Sequence, residues 1–299
     1  MGEIKLGPTR IGLRHLRYTI AVADAGGFRA AADVLNIAQP AISKTIQDTE
    51  NDLGFVIFNR TAGIFEITDA GHVFLDDARL ALSAFERTIR ASRQNALGSR
   101  GHIIVGYSAL ATSSQISTGL DNFHNMHPGC QVEMHVMSTD AMMRSLKTGE
   151  IDIGFLLSHE SVTNPEVAQV PIWTTSIGVV VPRKVDSVSL GTLRDSTFIM
   201  GVRENWRSFR SLLDVAFIAS NLAPRIVDEA WDVHVIFQRV AEGRGLTFYP
   251  MSAADSLPAA LKILQVPDWA PQLTIAMAWS KVVDTKLLQT FRSSFLKTI

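Results

Sequence analysis

The sequence predicts an α+β domain that contains a helix-turn-helix, then a long helix, and then a two-lobed α/β domain. Three observations support this prediction. Two short amphipathic stretches flank a tight turn between residues 28 and 54. A helical spacing of apolar residues then runs from residue 68 to about residue 97. From residue 102 onward, strand-like apolar runs alternate with helical runs, which is typical of α/β proteins.

Length and composition fit a globular protein of about two domains. The chain has 299 residues, of which 46% are apolar and 19% charged, and its formal net charge is −1. Any attraction for nucleic acid must therefore come from locally placed positive side chains and from two copies in a dimer. The single cysteine, Cys130, excludes an intramolecular disulfide and suits a reducing compartment. Since no apolar run approaches the ~18 residues of a membrane span, we expect a cytoplasmic protein with no membrane partner.

The stretch from residue 28 to residue 54 predicts two helices joined by a turn, and the segment from Leu13 to Ala25 predicts a helix that packs beneath them. Asn36 is a turn former that ends the first of the pair, and Gly54 suits the end of the second. Pro40 suits the first turn of that second helix, because its missing N–H would have no partner there. One buried stripe is predicted on the second helix: Ile42, Ile46, Thr49 and Leu53. The opposite face carries side chains able to hydrogen-bond: Gln39, Ser43, Lys44 and Gln47. Spacing alone leaves two interpretations open, a helical hairpin inside a core and a helix-turn-helix that places one helix in a major groove of DNA.

A β-hairpin and a long helix are predicted next. Short β-prone runs from Phe55 to Arg60 and from Ile64 to Thr68 flank a turn, which predicts a small wing with Arg60 at its base. Thr68 then caps a helix of about 40 Å. Its apolar residues recur at steps of three and four, the spacing of a helix that pairs with another: Phe74, Ala78, Ala81, Phe85 and Ile89. We expect a dimerisation arm, with burial in a larger core as the alternative, and a hinge at residues 98–101.

The remaining chain alternates strands and helices, an order that predicts a mostly parallel sheet. Later strands are predicted to include Trp173 to Val181, TFIMGV, LTFYP and LTIAMAWS, with a closing helix from Thr285 to Leu296. Two α/β lobes joined by a doubled strand crossing would leave a cleft between them.

The segment from Leu13 to Gly71 resembles the DNA-binding domain of LysR-type transcriptional regulators, most specifically in the tract AQPAIS at residues 38–43. The later chain resembles the periplasmic-binding-protein-like effector domain of the same family in GHIIVGY, LKTGEIDIGFL and AEGRGLTFYP. The resemblance implies a winged helix-turn-helix in residues 1–68 and a linker helix with its hinge in residues 69–102. It also implies a regulatory domain in residues 103–299, with lobe I at about 103–173 and 273–299 and lobe II at about 174–272. The implied partners are double-stranded promoter DNA, a small-molecule effector, further copies of the chain as a dimer through the linker helix and as a tetramer, and RNA polymerase.

The resemblance also implies which residues contact DNA. Gln39, Pro40, Ser43 and Lys44 match the family's contact positions, and Gln47 and Arg60 extend this set along the helix and to the wing. Glutamine can pair bidentately with adenine, and lysine can reach guanine or phosphate. Two departures affect base preference. Ala38 stands where a capping serine is common, and Lys44 stands where arginine is common.

Effector-binding residues are expected outside the carboxyl ends of parallel strands. The loop after the first strand supplies Ser108, Leu110 and Thr112, and a helix start supplies Ser138 and Thr139. Residues from the second lobe complete the set: Val202, Arg203, Trp206, Trp231 and Phe248. Hydroxyls, free helix amides and a positive group suit a carboxylate, and the aromatic rings suit an aromatic one. The alternative interpretations are plain helix capping for Ser138 and Thr139, and core packing for the tryptophans.

Other functions are less well supported by the sequence. No nucleophile–base pair, phosphate-binding glycine loop or metal-ligand motif is present, so we expect no catalytic residue, no metal, no cofactor and no enzyme activity. His124 and His127 are interpreted as a surface pair, and Cys130 as a core residue rather than a redox sensor. The main alternative function is a solute-binding module of a transport system, which would leave residues 1–102 unexplained.

Overall fold

The computed structural model describes residues 10–61, 64–96, 101–111, 113–158 and 165–296. The chain divides into two compact units, Met1–Arg93 and Gln94–Ile299. The predicted wing tip at residues 62–63, most of the predicted hinge and the candidate effector residue Thr112 lie outside the described ranges. A membrane-crossing helix, long and apolar over its whole length, is not found in the described ranges.

The first unit is built from helices and one β-hairpin. Its elements are α1 (Leu13–Asp24), α2 (Phe28–Leu35), α3 (Gln39–Leu53), β1 (Phe58–Thr61), β2 (Ile64–Ile67) and α4 (Asp69–Ala96). The bounds of α1 to α3 agree with the prediction to within one residue. Asn36 and Gly54 end α2 and α3 with left-handed φ angles of 52° and 77°, a conformation that asparagine and glycine tolerate best. The helix-turn-helix is therefore set by local turn chemistry.

The core of this unit lies between the three short helices and the hairpin. Ile42 and Ile46 of α3 are fully buried, together with Val22 of α1 and Ala31 of α2. The small side chains of α2 let α3 approach closely. The rings of Phe58 and Phe65 stack within the hairpin at 5.2 Å between centroids. Both meet the Phe28 ring of α2 edge-on, at 5.8 and 6.2 Å, and these contacts hold the hairpin on the helices.

The long helix α4 starts as predicted at Thr68. The Thr68 hydroxyl accepts a hydrogen bond from the Gly71 amide at 2.9 Å and donates one to the Val56 carbonyl at 2.7 Å. The predicted apolar stripe then divides in two. Ala78 is buried in its own unit, whereas Phe85 and Ile89 are each 38% exposed.

The second unit is an α/β structure. Its elements are β3 (His102–Tyr107), α5 (Ser114–Met126), β4 (Gln131–Val136), α6 (Thr139–Thr148), β5 (Ile153–Leu157), β6 (Val167–Pro182), α7 (Leu190–Asp195), β7 (Thr197–Gly201), α8 (Arg203–Ala219), β8 (Arg225–Ala230), α9 (Val233–Ala241), β9 (Thr247–Pro250), β10 (Leu261–Leu264), β11 (Gln272–Ser280) and α10 (Lys286–Leu296). The main sheet has the order β10-β6-β11-β5-β3-β4, with β9 also paired to β6, and β7 pairs with β8.

This sheet corrects the prediction of a mostly parallel arrangement. Strand β3 is parallel to β4 and β5, but β11 is antiparallel to β5 and β6, and β6 is antiparallel to β9 and β10. The reason is that β6 and β11 are long connecting strands that run in opposite directions between the lobes. We call β3, β4, β5, α5, α6 and α10 lobe I, and β7 to β10 with α7 to α9 lobe II.

Candidate functional site

The exposed face of α3 carries the side chains predicted to contact DNA. Gln39, Pro40, Lys44 and Gln47 are exposed, and Ser43 is half-buried. The opposite face is held in the core by Ile42, Ile46 and Thr49, each fully buried. As the sequence indicates, Ala38 gives the helix start no side-chain cap. A rigid helix thus presents a row of hydrogen-bonding groups, which is the geometry that reading a major groove requires.

A shallow groove separates this helix face from the hairpin. It is bordered by Ser43, Lys44 and Gln47 on α3 and by Asn59 on β1. The backbone of Arg60 also lies in β1, and its side chain lies outside the described part of the chain. The helix and the wing strand therefore form one continuous surface.

Glu50 connects these two elements, and the sequence reasoning did not identify it. One carboxylate oxygen, Oε1, accepts hydrogen bonds from the backbone amides of Ile57 at 2.7 Å and Phe58 at 3.1 Å. The carboxylate at the end of α3 thus fixes the start of β1. Buried backbone amides need an acceptor, but the sequence alone does not show where β1 begins or which of its amides are buried. Glu50 could therefore not be identified as their partner from the sequence.

A cleft of about 940 Å³ lies between the two lobes of the second unit. It brings together six of the residues predicted to bind an effector: Ser108, Leu110, Ser138, Thr139, Trp206 and Trp231. The cleft also gathers residues that the sequence reasoning did not select: Tyr107, Arg144, Arg207, His234, Phe237 and Tyr249. All six lie in helices or strands, where spacing alone does not separate a cleft-lining residue from a core or surface residue.

Three predicted effector residues do not border the cleft. Phe248 is 1% exposed and stacks on Phe198 at 5.0 Å between ring centroids, so it belongs to the core. The Arg203 guanidinium is exposed and binds the Asp214 carboxylate of the same helix at 2.9 Å, and it does not line the cleft. Val202 caps α8, and its amide donates to the Ala230 carbonyl at 3.1 Å.

Helix N-termini supply the cleft with backbone dipoles. The first turns of α6, α8 and α9 all contribute residues to its lining. The Ser138 hydroxyl accepts a hydrogen bond from the Ala141 amide at 3.3 Å, so the capping interpretation is correct for this side chain. Capping does not use the remaining amides of the turn. The converging positive ends of these helices favour an anionic ligand.

Among the described residues, two guanidiniums and three carboxylates line the cleft: those of Arg144, Arg207, Asp140, Glu204 and Asp232. Arg207 of lobe II lies 3.8 Å from the Asp140 carboxylate of lobe I. Arg144 of α6 is exposed at the cleft, and no ion pair to it is found within the described ranges. An anionic ligand could therefore gain a cationic partner at Arg144 without breaking an existing pair.

Trp206 forms one wall of the cleft because Gly201 leaves room for it. The indole is 8% exposed, and its N–H donates to the Trp231 carbonyl at 3.2 Å. The helix is irregular at Trp206, where φ is −110° and ψ is 18°. A Cβ atom at Gly201 would lie 2.2 Å from the Trp206 ring. Trp231 is 63% exposed on the same cleft, so the core-packing alternative fits Trp206 in part and does not fit Trp231.

Substituting Gly201 by alanine should therefore displace the Trp206 wall. We expect a loss of about 1–3 kcal/mol in the free energy of unfolding, because an aromatic ring inside a packed site cannot move without strain. Denaturant unfolding of the full-length protein measures this loss. Gly191→Ala is the matched control, since a Cβ there would meet the Ser189 hydroxyl at an ordinary 3.5 Å. Equal stability of the two variants would contradict the proposed close packing.

Cys130 and the histidine pair do not line the interlobe cleft. The Cys130 thiol is 5% exposed, and burial raises its pKa to about 11, so it is protonated at neutral pH. His124 and His127 pack beside the Phe123 ring. Across the described residues, no group of three acidic, cysteine or histidine side chains is arranged to hold a metal ion.

Comparison with known proteins places both units in one family. Residues 13–72 match the model of the bacterial regulatory helix-turn-helix protein of the lysR family, and residues 96–298 match the LysR substrate binding domain. The transcriptional regulator AlsR of Bacillus subtilis is 30% identical over 249 residues, which cover 81% of each chain. The regulator ClcR of Pseudomonas putida is 32% identical over 244 residues, covering 81% of this chain and 83% of that protein.

Solved structures agree with these matches over the full length. The crystal structure of CbnR, a LysR family transcriptional regulator, aligns with a TM-score of 0.68 at 26% identity and covers 96% of this chain and 99% of that one. Full-length CbnR in complex with its target DNA aligns with a TM-score of 0.67 at 26% identity and covers 97% of this chain and 100% of that one. Both units and the order in which they occur are thus accounted for, and the chain belongs to the LysR family of DNA-binding transcriptional regulators with an effector-binding domain.

Proposed function

We propose that this regulator reads promoter DNA with the exposed face of α3 and that a small carboxylate in the interlobe cleft modulates the binding. The predicted contact set for DNA is Gln39, Pro40, Ser43, Lys44, Gln47 and Arg60. The continuous surface of α3 and β1 supports this assignment, because one domain can then place a helix in the major groove and a wing beside it. The relative CbnR was solved bound to its target DNA.

The observation that favours a carboxylate is the set of helix N-termini around the cleft. The first turns of α6, α8 and α9 and the exposed side chain of Arg144 all line this cleft. Together they would offer a carboxylate both hydrogen bonds and a charge partner. Trp206, Trp231 and Phe237 line the same space with aromatic rings, so an aromatic acid would bury its ring where its charge is also satisfied.

The exposed end of α4 supports a dimer. Phe85 and Ile89 are partly exposed on a helix of 28 residues, and pairing with α4 of a second copy would cover them. Such pairing would set the distance between two recognition helices, and pairs of dimers would form the tetramer. An effector that favours one arrangement of the lobes would then change the spacing of the DNA-binding domains, the bending of the DNA and the access of RNA polymerase. We place this function in the cytoplasm, where promoter DNA lies.

The alternative of a solute-binding module is not favoured. Such a module needs a cleft between two lobes but has no use for α1 to α3, which lie within the residues that match the helix-turn-helix model of the lysR family.

Calorimetric titration of the full-length protein with benzoate, benzamide and succinate tests the ligand class. We expect heat with benzoate and little or none with the isosteric neutral amide, because charge drives the interaction. Arg144→Gln should weaken the binding of the acid by about 10- to 150-fold, which corresponds to the loss of one charge-assisted contact. Lys147→Gln is the matched control, since Lys147 lies on the same helix but is 3.9 Å from Glu166 and does not line the cleft. An absence of heat with every acid would reject the carboxylate proposal.

A further inference from the structure

Tyr249 makes a contact between the lobes that no motif in the sequence indicates. It lies in β9 of lobe II, and its ring packs edge-on against Phe237 of α9 with 5.0 Å between ring centroids. The side chain is 4% exposed and borders the floor of the cleft. Its hydroxyl donates a hydrogen bond to the Ala109 carbonyl of lobe I at 2.8 Å, across 140 residues of sequence.

The acceptor belongs to the turn that offers Ser108 and Leu110 to the cleft. This turn is fixed at one end, where the Ser108 amide donates to the Phe155 carbonyl at 2.9 Å. Inside the turn, the Ala111 amide donates to the Ser108 carbonyl at 2.8 Å, and the Leu110 amide to the Ser108 hydroxyl at 3.3 Å. The Ala109 carbonyl points out of this arrangement and meets a group from the opposite lobe. Lobe II thereby positions a cleft-lining turn of lobe I.

The hydroxyl can act only as a neutral donor at physiological pH. Burial raises the pKa of the Tyr249 phenol above its ordinary value, so the group does not ionise. A buried hydroxyl without a partner is unfavourable, and any movement that separates the lobes at this point would remove the partner. The contact therefore favours the arrangement of the lobes seen in this structure.

We propose that Tyr249 is a positioning residue of the effector site, a latch that holds the Ser108–Ala111 turn and keeps the two lobes together at the floor of the cleft before any effector is bound. This inference rests on the proposed role of the cleft as the effector site. The latch biases the lobes toward the arrangement seen in this structure, so an effector that requires this arrangement binds to a site that is already formed.

Hydrogen–deuterium exchange of the full-length protein without ligand tests the latch directly. Tyr249→Phe removes the hydroxyl and keeps the ring that packs on Phe237, so the fold should persist. We expect exchange at the Leu110 and Ala111 amides to rise about two- to tenfold, the range that corresponds to one net hydrogen bond. Tyr107→Phe is the matched control, because Tyr107 borders the same cleft from β3 within lobe I. Unchanged exchange in Tyr249→Phe, or an equal rise in both variants, would overturn the proposal.

The distance between the lobes is a second measurement, and it would not change if Tyr249 only held the turn in place. Lys184→Cys in lobe II and Lys286→Cys in lobe I place spin labels on exposed positions, while the buried thiol of Cys130 is protonated and reacts poorly. Labelled chains diluted with unlabelled ones report distances within one chain. We expect Tyr249→Phe to add a population with a longer distance in the absence of ligand, and a distribution identical to that of the unsubstituted chain would overturn the latch. Both measurements use the protein without ligand, so they remain decisive even if no carboxylate binds.

Discussion

Substituting Gln39 by alanine is expected to weaken binding to the operator about 5- to 150-fold, the equivalent of one bidentate contact between an amide and a base. The side chain is exposed in the first turn of α3, where a recognition helix comes closest to the base edges. The side chain makes no hydrogen bond to another residue in the described part of the chain, so its removal leaves the fold unstrained. The loss should therefore appear in DNA affinity and not in stability.

Gel-shift titration with the DNA upstream of the protein's own gene, at low and at moderate salt, measures this effect. Loss of a base contact lowers specific affinity and leaves non-specific binding and its salt dependence unchanged. Lys44→Ala should differ, because a lysine that contacts phosphate weakens specific and non-specific binding together and reduces the salt slope by about 1.

Asn51→Ala serves as the control for Gln39→Ala, since Asn51 is exposed on the same helix and lies outside the predicted contact set. The dimer should persist in all three variants, as sedimentation would show. Operator affinity unchanged by Gln39→Ala would remove this face of α3 from the DNA contact.

The helix-turn-helix could be predicted closely because its signals are local. Asn36 and Gly54 end α2 and α3 through their own backbone preferences, and Pro40 starts α3 through its missing N–H. None of these effects depends on a distant partner. The same holds for the start of α4, where the Thr68 hydroxyl caps the amide of Gly71 three residues later.

The connecting strand β6 could be predicted only in part. The sequence indicated a strand from Trp173, whereas β6 begins at Val167 and includes Pro171. Proline is tolerated there because the pairing with β11 shifts register between Ile275 and Ala276, which are opposite Trp173 and Pro171. A bulge is a property of two strands together, so one strand's sequence does not reveal it.

The residues of the cleft could likewise be predicted only in part. Ser108 and Ser138 follow strand ends, and the rule for parallel strands selects such positions. Tyr249 and Phe248 are neighbours on one strand and must face opposite sides. The sequence reasoning chose Phe248, which lies in the core, because alternation alone does not say which face borders the cleft.

Substituting Glu50 by alanine is expected to destabilise the first unit by about 2–4 kcal/mol, because two backbone amides lose their charged acceptor at once. Ile57 and Phe58 are buried, so water cannot readily replace the carboxylate at their amides. Glu50→Gln keeps an oxygen in place but no charge, and it should cost less than half as much. Thermal unfolding of the full-length protein measures these losses in the transition in which the first unit unfolds. It ranks the variants by their free energy of unfolding. Glu66→Ala removes an equal charge from an exposed position on β2 and should leave that transition within about 0.5 kcal/mol of its original free energy.

The same substitution should separate the wing from the recognition helix. The Glu50 carboxylate holds the start of β1 against the last turns of α3, and α3 itself keeps its buried stripe when that contact is lost. In Glu50→Ala we therefore expect amide exchange at Ile57 and Phe58 to increase. In footprints on operator DNA, we expect protection by the wing against hydroxyl radicals to fade, while protection of guanine N7 against dimethyl sulfate in the major groove persists at higher protein concentration. Simultaneous loss of both protections would mean that Glu50 supports the whole unit, and full retention of both would mean that β1 is held by its aromatic packing alone. A loss confined to the wing would establish that one carboxylate orients two DNA-contacting elements relative to each other.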